Sequence, residues 1–275
     1  MMGRIITARG ILRMHLKRTL QYRLVAWAQL STNIFWGFVH TVIIAVFYRY
    51  GEQTAGASSG MSMAQAVSYV WLGQIVLYLL PTFGSDAEIR EKIRNGDVGV
   101  ELCRPLDLYF HWYWRTAASR LGRFLLQVFP VVAVAMLIPA PYRLLPPASL
   151  PGFMTAICSL AISLLFSCAL VSLTYVLAMN IQWGDGPITI FVIVVDILAG
   201  SYLPLQLWPS WAQRWLFYQP FAGLQDLPLR LYLGTLPPGA FPRVALLQLA
   251  WTAVFTAVGW LLMQRSLRRL VVQGG

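Results

Sequence analysis

The sequence predicts an all-α membrane protein with six transmembrane helices, and three observations carry that expectation. The 275 residues are 58% hydrophobic, with a mean hydropathy of +0.62. Charged residues make up 11%, against about 25% in an ordinary soluble domain. Those charges gather into clusters that leave apolar runs of about 20 residues, the length that crosses the hydrocarbon core of a bilayer.

The elements follow in chain order. Residues 1–23 intersperse Arg4, Arg9, Arg13, Lys17 and Arg18 with Ile5, Ile11, Leu12, Leu16 and Leu20. That alternation predicts an amphipathic helix lying in the membrane interface. Residues 24–275 read as one transmembrane domain, with spans at about 24–48, 61–83, 116–138, 153–178, 188–206 and 244–264. In the fourth span Ser159, Ser163 and Ser167 form an i, i+4 ladder, and Ala253 and Ala257 repeat that spacing in the sixth. Small residues so spaced let helices approach closely, and we read both sets as packing within the subunit.

Between the fifth and sixth spans, 207–243 carries Trp208, Trp211 and Trp215, which suit an interfacial aromatic belt. Pro209, Pro220, Pro228, Pro237 and Pro238 forbid one continuous helix there. Short outer re-entrant helices fit, because broken backbone at membrane depth must be covered by protein.

Orientation follows from the cations. The segment before residue 24, the region from Arg90 to Arg123 and the tail from Arg265 hold sixteen of the 21 Lys and Arg residues. Arg49, Arg143, Arg214, Arg230 and Arg243 are the other five. The positive-inside rule then places both termini in the cytoplasm. The net charge of +11 sits beside apolar spans, so its expected contact is anionic lipid head groups and not nucleic acid.

No GxxxxGK[ST] or HExxH motif occurs, and His15, His40 and His111 are scattered. The chain is therefore expected to be no enzyme and to hold no metal. Asp196 interrupts the fifth span. A carboxylate at that depth is costly unless it faces a cavity or a partner. It is either a substrate-path residue or a structural hydrogen-bonding group.

The most charged stretch lies between the second and third spans. From Asp86 to Arg94 the sequence predicts a short amphipathic helix, with Ile89 and Ile93 on one face and Glu88, Arg90, Glu91, Lys92 and Arg94 around the rest. Glu88 and Lys92 form an i, i+4 pair in the favourable order, and Asn95-Gly96 ends the helix. Two exposed isoleucines rimmed by charge would mark a protein-docking surface.

From Ile93 to Pro105 the chain reads I-R-N-G-D-V-G-V-E-L-C-R-P. This resembles the cytoplasmic loop of ABC-2 type transporter permeases, in particular a bacterial subgroup whose loop reads I-R-x-G followed by L-x-R-P. The patches P-L-Q-L-W-P from Pro204, Q-P-F from Gln219, L-Y-L-G from Leu231 and R-S-L-R-R-L from Arg265 resemble the same families. The resemblance implies the membrane subunit of an ABC exporter in the bacterial cytoplasmic (inner) membrane. It implies a second permease subunit, identical or homologous, and two separate ABC ATPase subunits. Asp86, Glu88, Ile89, Arg90, Glu91, Lys92, Ile93 and Arg94 would form the coupling helix. ATP and Mg would belong to the partner ATPase, with no cofactor in this chain. The alternatives are a proton-coupled secondary carrier, for which Asp196 and His40 are the ionisable groups within the spans, and a non-transporting membrane assembly factor.

Overall fold

The computed structural model describes residues 23–54, 60–81, 86–102, 106–180 and 186–269. The interfacial helix expected over 1–23 falls outside these except for its last residue, as do Cys103, Arg104 and Pro105 of the loop motif. The described residues are helical throughout, joined by turns. Four helices are long and apolar enough to cross a membrane: α1 (Arg23–Thr54), α5 (Leu108–Leu137), α6 (Leu150–Asn180) and α10 (Phe241–Arg269).

Two apolar helices are shorter than their sequence spans. The first is α2 (Met63–Val76), which begins at a capping box of Ser62 and Gln65 and ends in a 3-10 turn, Leu77–Leu79. Pro81 follows, so the helix stops before residue 83. The second, α7 (Gly186–Leu198), stops eight residues short of the expected 206. Gly200 turns the chain there with φ of +84°, and a Cβ at this position would lie 2.6 Å from the Tyr69 hydroxyl. Glycine alone allows both the turn and the approach. Thirteen residues reach about 20 Å, short of the roughly 30 Å hydrocarbon core.

Beyond α7 the chain breaks into short pieces, as its prolines require. A 3-10 turn at Leu205–Leu207 leads to α8 (Ser210–Tyr218), a second at Pro220–Gly223 leads to α9 (Asp226–Leu233), and a third precedes α10. Trp211 and Trp215 project outward, each 76% exposed, while Ala212 and Leu216 on the opposite side of α8 are buried. The segment is pinned by Asp226, which is 1% exposed. Its carboxylate accepts hydrogen bonds from the Tyr69 hydroxyl at 3.3 Å and the Leu205 amide at 3.1 Å, and Arg230 pairs with it at 3.5 Å. The sequence reading counted Arg230 as an outer-loop cation and passed over Asp226.

The core is organised on α6, which packs against α10, α9, α5 and the short helix α3 (Ala87–Asn95). Its three ladder serines are fully buried. Ser159 Oγ donates to Gln248 Oε1 at 3.0 Å. Gln248 Nε2 in turn donates to Ser163 Oγ (3.0 Å) and to the Gly223 carbonyl (2.7 Å). The ladder therefore packs within the subunit, as expected. Ala253 and Ala257 do not: they lie on the exposed side of α10 with Val254 and Val258, because the Gln248 side of that helix faces α6.

Gln248→Leu strands the buried Ser159 hydroxyl and removes one of the two hydrogen bonds that the Gly223 carbonyl accepts, leaving it the one from Ser163 Oγ. It should destabilise the detergent-solubilised protein by roughly 1–3 kcal/mol, the usual cost of unsatisfied buried polar groups. Ala253→Leu on the exposed side of the same helix should leave the thermal midpoint unchanged. Equal midpoints for both variants would contradict the packing described.

Candidate functional site

The charged stretch folds as predicted into α3 (Ala87–Asn95), followed by the short α4 (Val98–Leu102). Asp86 caps the start, its carboxylate accepting from the Glu88 amide at 3.0 Å. Gly96 ends the helix in the left-handed region, φ +78°, with its N–H turned back to the Ile93 and Lys92 carbonyls. That is the glycine C-cap the Asn95-Gly96 pair implied.

The apolar face does not point where the sequence reading put it. Ile89 is completely buried, in a cluster with Val98, Trp112 and Tyr175, and Ile93 packs partly buried against the same cluster. The expectation of two exposed isoleucines is therefore corrected. The aromatic starts of α5 and the end of α6 cover them, because an apolar stripe beside a wall of Tyr and Trp rings buries itself in its own subunit first. Arg90, Glu91 and Arg94, with Asn95 and Asp97, face outward.

The inward charges form a connected network. Arg115 on α5 is 5% exposed. Its Nε donates to Asp86 Oδ2 at 2.6 Å and its Nη2 to Glu88 Oε2 at 2.7 Å. Lys92 bridges Glu88 at 3.1 Å and Glu101 at 2.7 Å. The Trp112 indole N–H donates to the other Glu101 oxygen at 2.6 Å, and the Asp86 amide donates to the Tyr175 hydroxyl, also at 2.6 Å. One short helix is thus tied to α4, α5 and α6 at once. Charge-assisted bonds of this length are the strong ones.

The electrostatics follow from these partners. Hydrogen bonds from Arg115, with those from Lys92, hold the Glu88 carboxyl down at about 2 against a smaller upward push from burial. Burial pushes the Glu101 carboxyl up, but the hydrogen bonds from Lys92 and Trp112 outweigh it and leave it below the usual range. Glu101, and then Glu88, raise Lys92 above its ordinary value. Sequence reading found neither Arg115 nor Glu101, Trp112 and Tyr175. The W-Y-W-R run at 112–115, aromatics ending in an arginine at the start of a span, was the available signal.

Asp196 lies apart from this region. It is 3% exposed on α7, next to Val195 in a buried cluster with Phe166, Leu170 and Leu224. A crevice of about 70 Å³ opens between α1, α2 and residues 201–204, with His40, Phe47, Tyr69 and Ser201 in its lining. His40 lines it and Asp196 does not.

The apolar helices agree with a comparison to known families. The model of the ABC-2 family transporter protein matches residues 34–274. The chain belongs to this family, and it is a multi-pass membrane protein of transport. A search of curated proteins finds no significant match.

Glu88 gives a test with a defined sign. Its carboxyl is depressed in the folded chain from 4.5 to about 2. The stability it contributes is therefore complete above pH 4.5 and is lost as pH falls through the folded value. The difference in thermal midpoint between the wild type and Glu88→Gln should be constant from pH 8 to pH 5 and shrink as pH falls towards 2. A difference already shrinking at pH 6 would mean that Arg115 does not hold Glu88.

Proposed function

We propose that the chain is the permease subunit of an ABC exporter in a bacterial inner membrane, with six spans and both termini cytoplasmic. It pairs with a second permease, identical or homologous, and two separate ATPase subunits dock beneath the pair and hold ATP and its magnesium. The observation that carries this reading is α3. It is a capped helix, fixed inward by Asp86, Glu88, Lys92, Ile89 and Ile93, that offers Arg90, Glu91 and Arg94 to a partner. The short α2 and α7 complete the six spans, with the broken segment between α7 and α10 on the outer side. Asp196 serves the substrate path in conformations where α7 parts from its neighbours.

The docking contact is then polar, and the isoleucines seat the helix. The double variant Arg90→Glu/Arg94→Glu should weaken retention of the ATPase about tenfold, since rim pairs contribute roughly 0.2–1 kcal/mol each and reversal turns attraction into repulsion. The loss should deepen as salt is lowered, because screening then falls. Ile89→Ala should instead lower the permease's own stability by about 2–5 kcal/mol. Undiminished ATPase co-purification in the double variant would remove α3 from the docking surface.

Asp196→Asn should lower efflux of a cationic dye from vesicles containing the assembled transporter, with the ATPase still bound. Unchanged efflux, or loss of assembly, would assign Asp196 to structure.

A further inference from the structure

Two arginines on α5 hold the two ends of the connection between α2 and α3. Arg115 binds the start of α3 through Asp86 and Glu88. Arg120, five residues further and so about 7.5 Å along the helix, binds the end of α2. Its Nη1 donates to the Tyr78 carbonyl (2.9 Å), the Leu80 carbonyl (3.0 Å) and Ser167 Oγ of α6 (2.6 Å). Arg120 is fully buried.

All three of those acceptors are neutral. Two are carbonyls at the C-terminal end of a helix, where partial negative charge accumulates and suits a cation. Arg120 therefore replaces a solvent cap at the point where α2 gives way to the connection. Two of its donors, Nε and Nη2, have no partner. A buried donor without an acceptor is rare in a settled structure. A guanidinium with spare donors can, however, keep hold of a helix end under load, since its fork offers further hydrogens to the same carbonyls before the contact is lost.

We propose that Arg120 is a positioning residue that makes the cytoplasmic end of α2 move as one body with α3. Resting on the permease reading, this gives the docking helix a direct mechanical route into a membrane helix. A displacement of α3 reaches α5 and α6 through Arg115 and Tyr175, and Arg120 carries the end of α2 along with them. Without Arg120, α3 stays seated by its own ion pairs while the end of α2 slips.

The test is a spin-label distance between Gly60→Cys, at the end of α2 opposite Arg120 and so displaced by any slip of that helix along its axis, and Ala87→Cys on α3, in a background without native cysteines. Both positions are exposed, and a Cβ at Gly60 meets nothing within 4 Å. The chain is measured alone in lipid nanodiscs and then with its co-purifying ATPase, nucleotide-free and with ATP plus vanadate. The wild type should give one narrow distance in every state. Arg120→Gln should give a broadened distribution whose mean shifts by about 2 Å between nucleotide states, the scale of helix displacement at packed interfaces. Arg120→Lys keeps the charge but reaches fewer of the three acceptors, so it should broaden less. It decides the matter if Arg120→Gln fails to fold.

A wild-type distance that itself changes with nucleotide overturns the proposal. So does a wild-type-like distribution in Arg120→Lys, and so does broadening in Arg120→Gln that is equal in both nucleotide states, which marks a structural tie only. Should the wild type retain no ATPase, the permease reading fails, while the distances in the chain alone still decide whether Arg120 holds α2 to α3.

Discussion

The serine face of α6 is the constraint around which the other helices are arranged. Within a bilayer no water is available to satisfy a hydroxyl or a main-chain carbonyl, so every such group must find a partner inside the protein. Ser159, Ser163 and Ser167 answer this by bonding outward to Gln248 on α10, to Gly223 in the turn before α9 and to Arg120 on α5. Small side chains let those elements come close, and the hydrogen bonds fix which elements they are. The α6 helix carries no charge along its 31 residues. It is nonetheless the polar centre of the fold.

Much of this architecture was legible in the sequence because membrane helices are written in composition. Long charge-free runs gave α1, α5, α6 and α10 to within a few residues, except that α5 and α1 extend further past the hydrocarbon region than hydropathy alone predicts. The ends of α2 and α7 were not legible. Hydropathy continues through Leu203 and Leu205, but the close approach of Gly200 to Tyr69 turns the chain at Leu198. That approach is a long-range contact, and no local window contains it. The Asp226 cluster was hidden for the same reason, since its partners Tyr69 and Leu205 are remote in sequence.

The candidate site shows a different limit. Capping by Asp86, the Glu88–Lys92 pair and the Gly96 stop are local signals, and all three are present in α3. Which face of α3 is covered is not local. A two-residue apolar stripe reads identically whether it awaits a partner or lies against Trp112 and Tyr175. The rule that exposed apolar residues mark docking surfaces presupposes exposure, and exposure is a property of the folded chain. The surface left over is charged.

The two buried arginines of α5, Arg115 and Arg120, show how the compensation of a buried cation changes with depth. Arg115, beside the start of α3, is neutralised by Asp86 and Glu88, and the Glu88 side chain is still 41% exposed. A carboxylate partner is tolerable there because water continues to solvate it. Deeper in the helix, a second buried carboxylate would add its own desolvation cost to that of the guanidinium. Arg120 meets helix-end carbonyls and a serine instead, and those carbonyls would otherwise lack partners at the end of α2. The same arginine thus relieves a helix terminus and avoids a second ion. The positive-inside count includes both residues, yet neither is exposed. Packing makes the same demand of both: a cation too costly to bury alone sits where α2, α3 and α6 close around it with carboxylates or carbonyls to meet it.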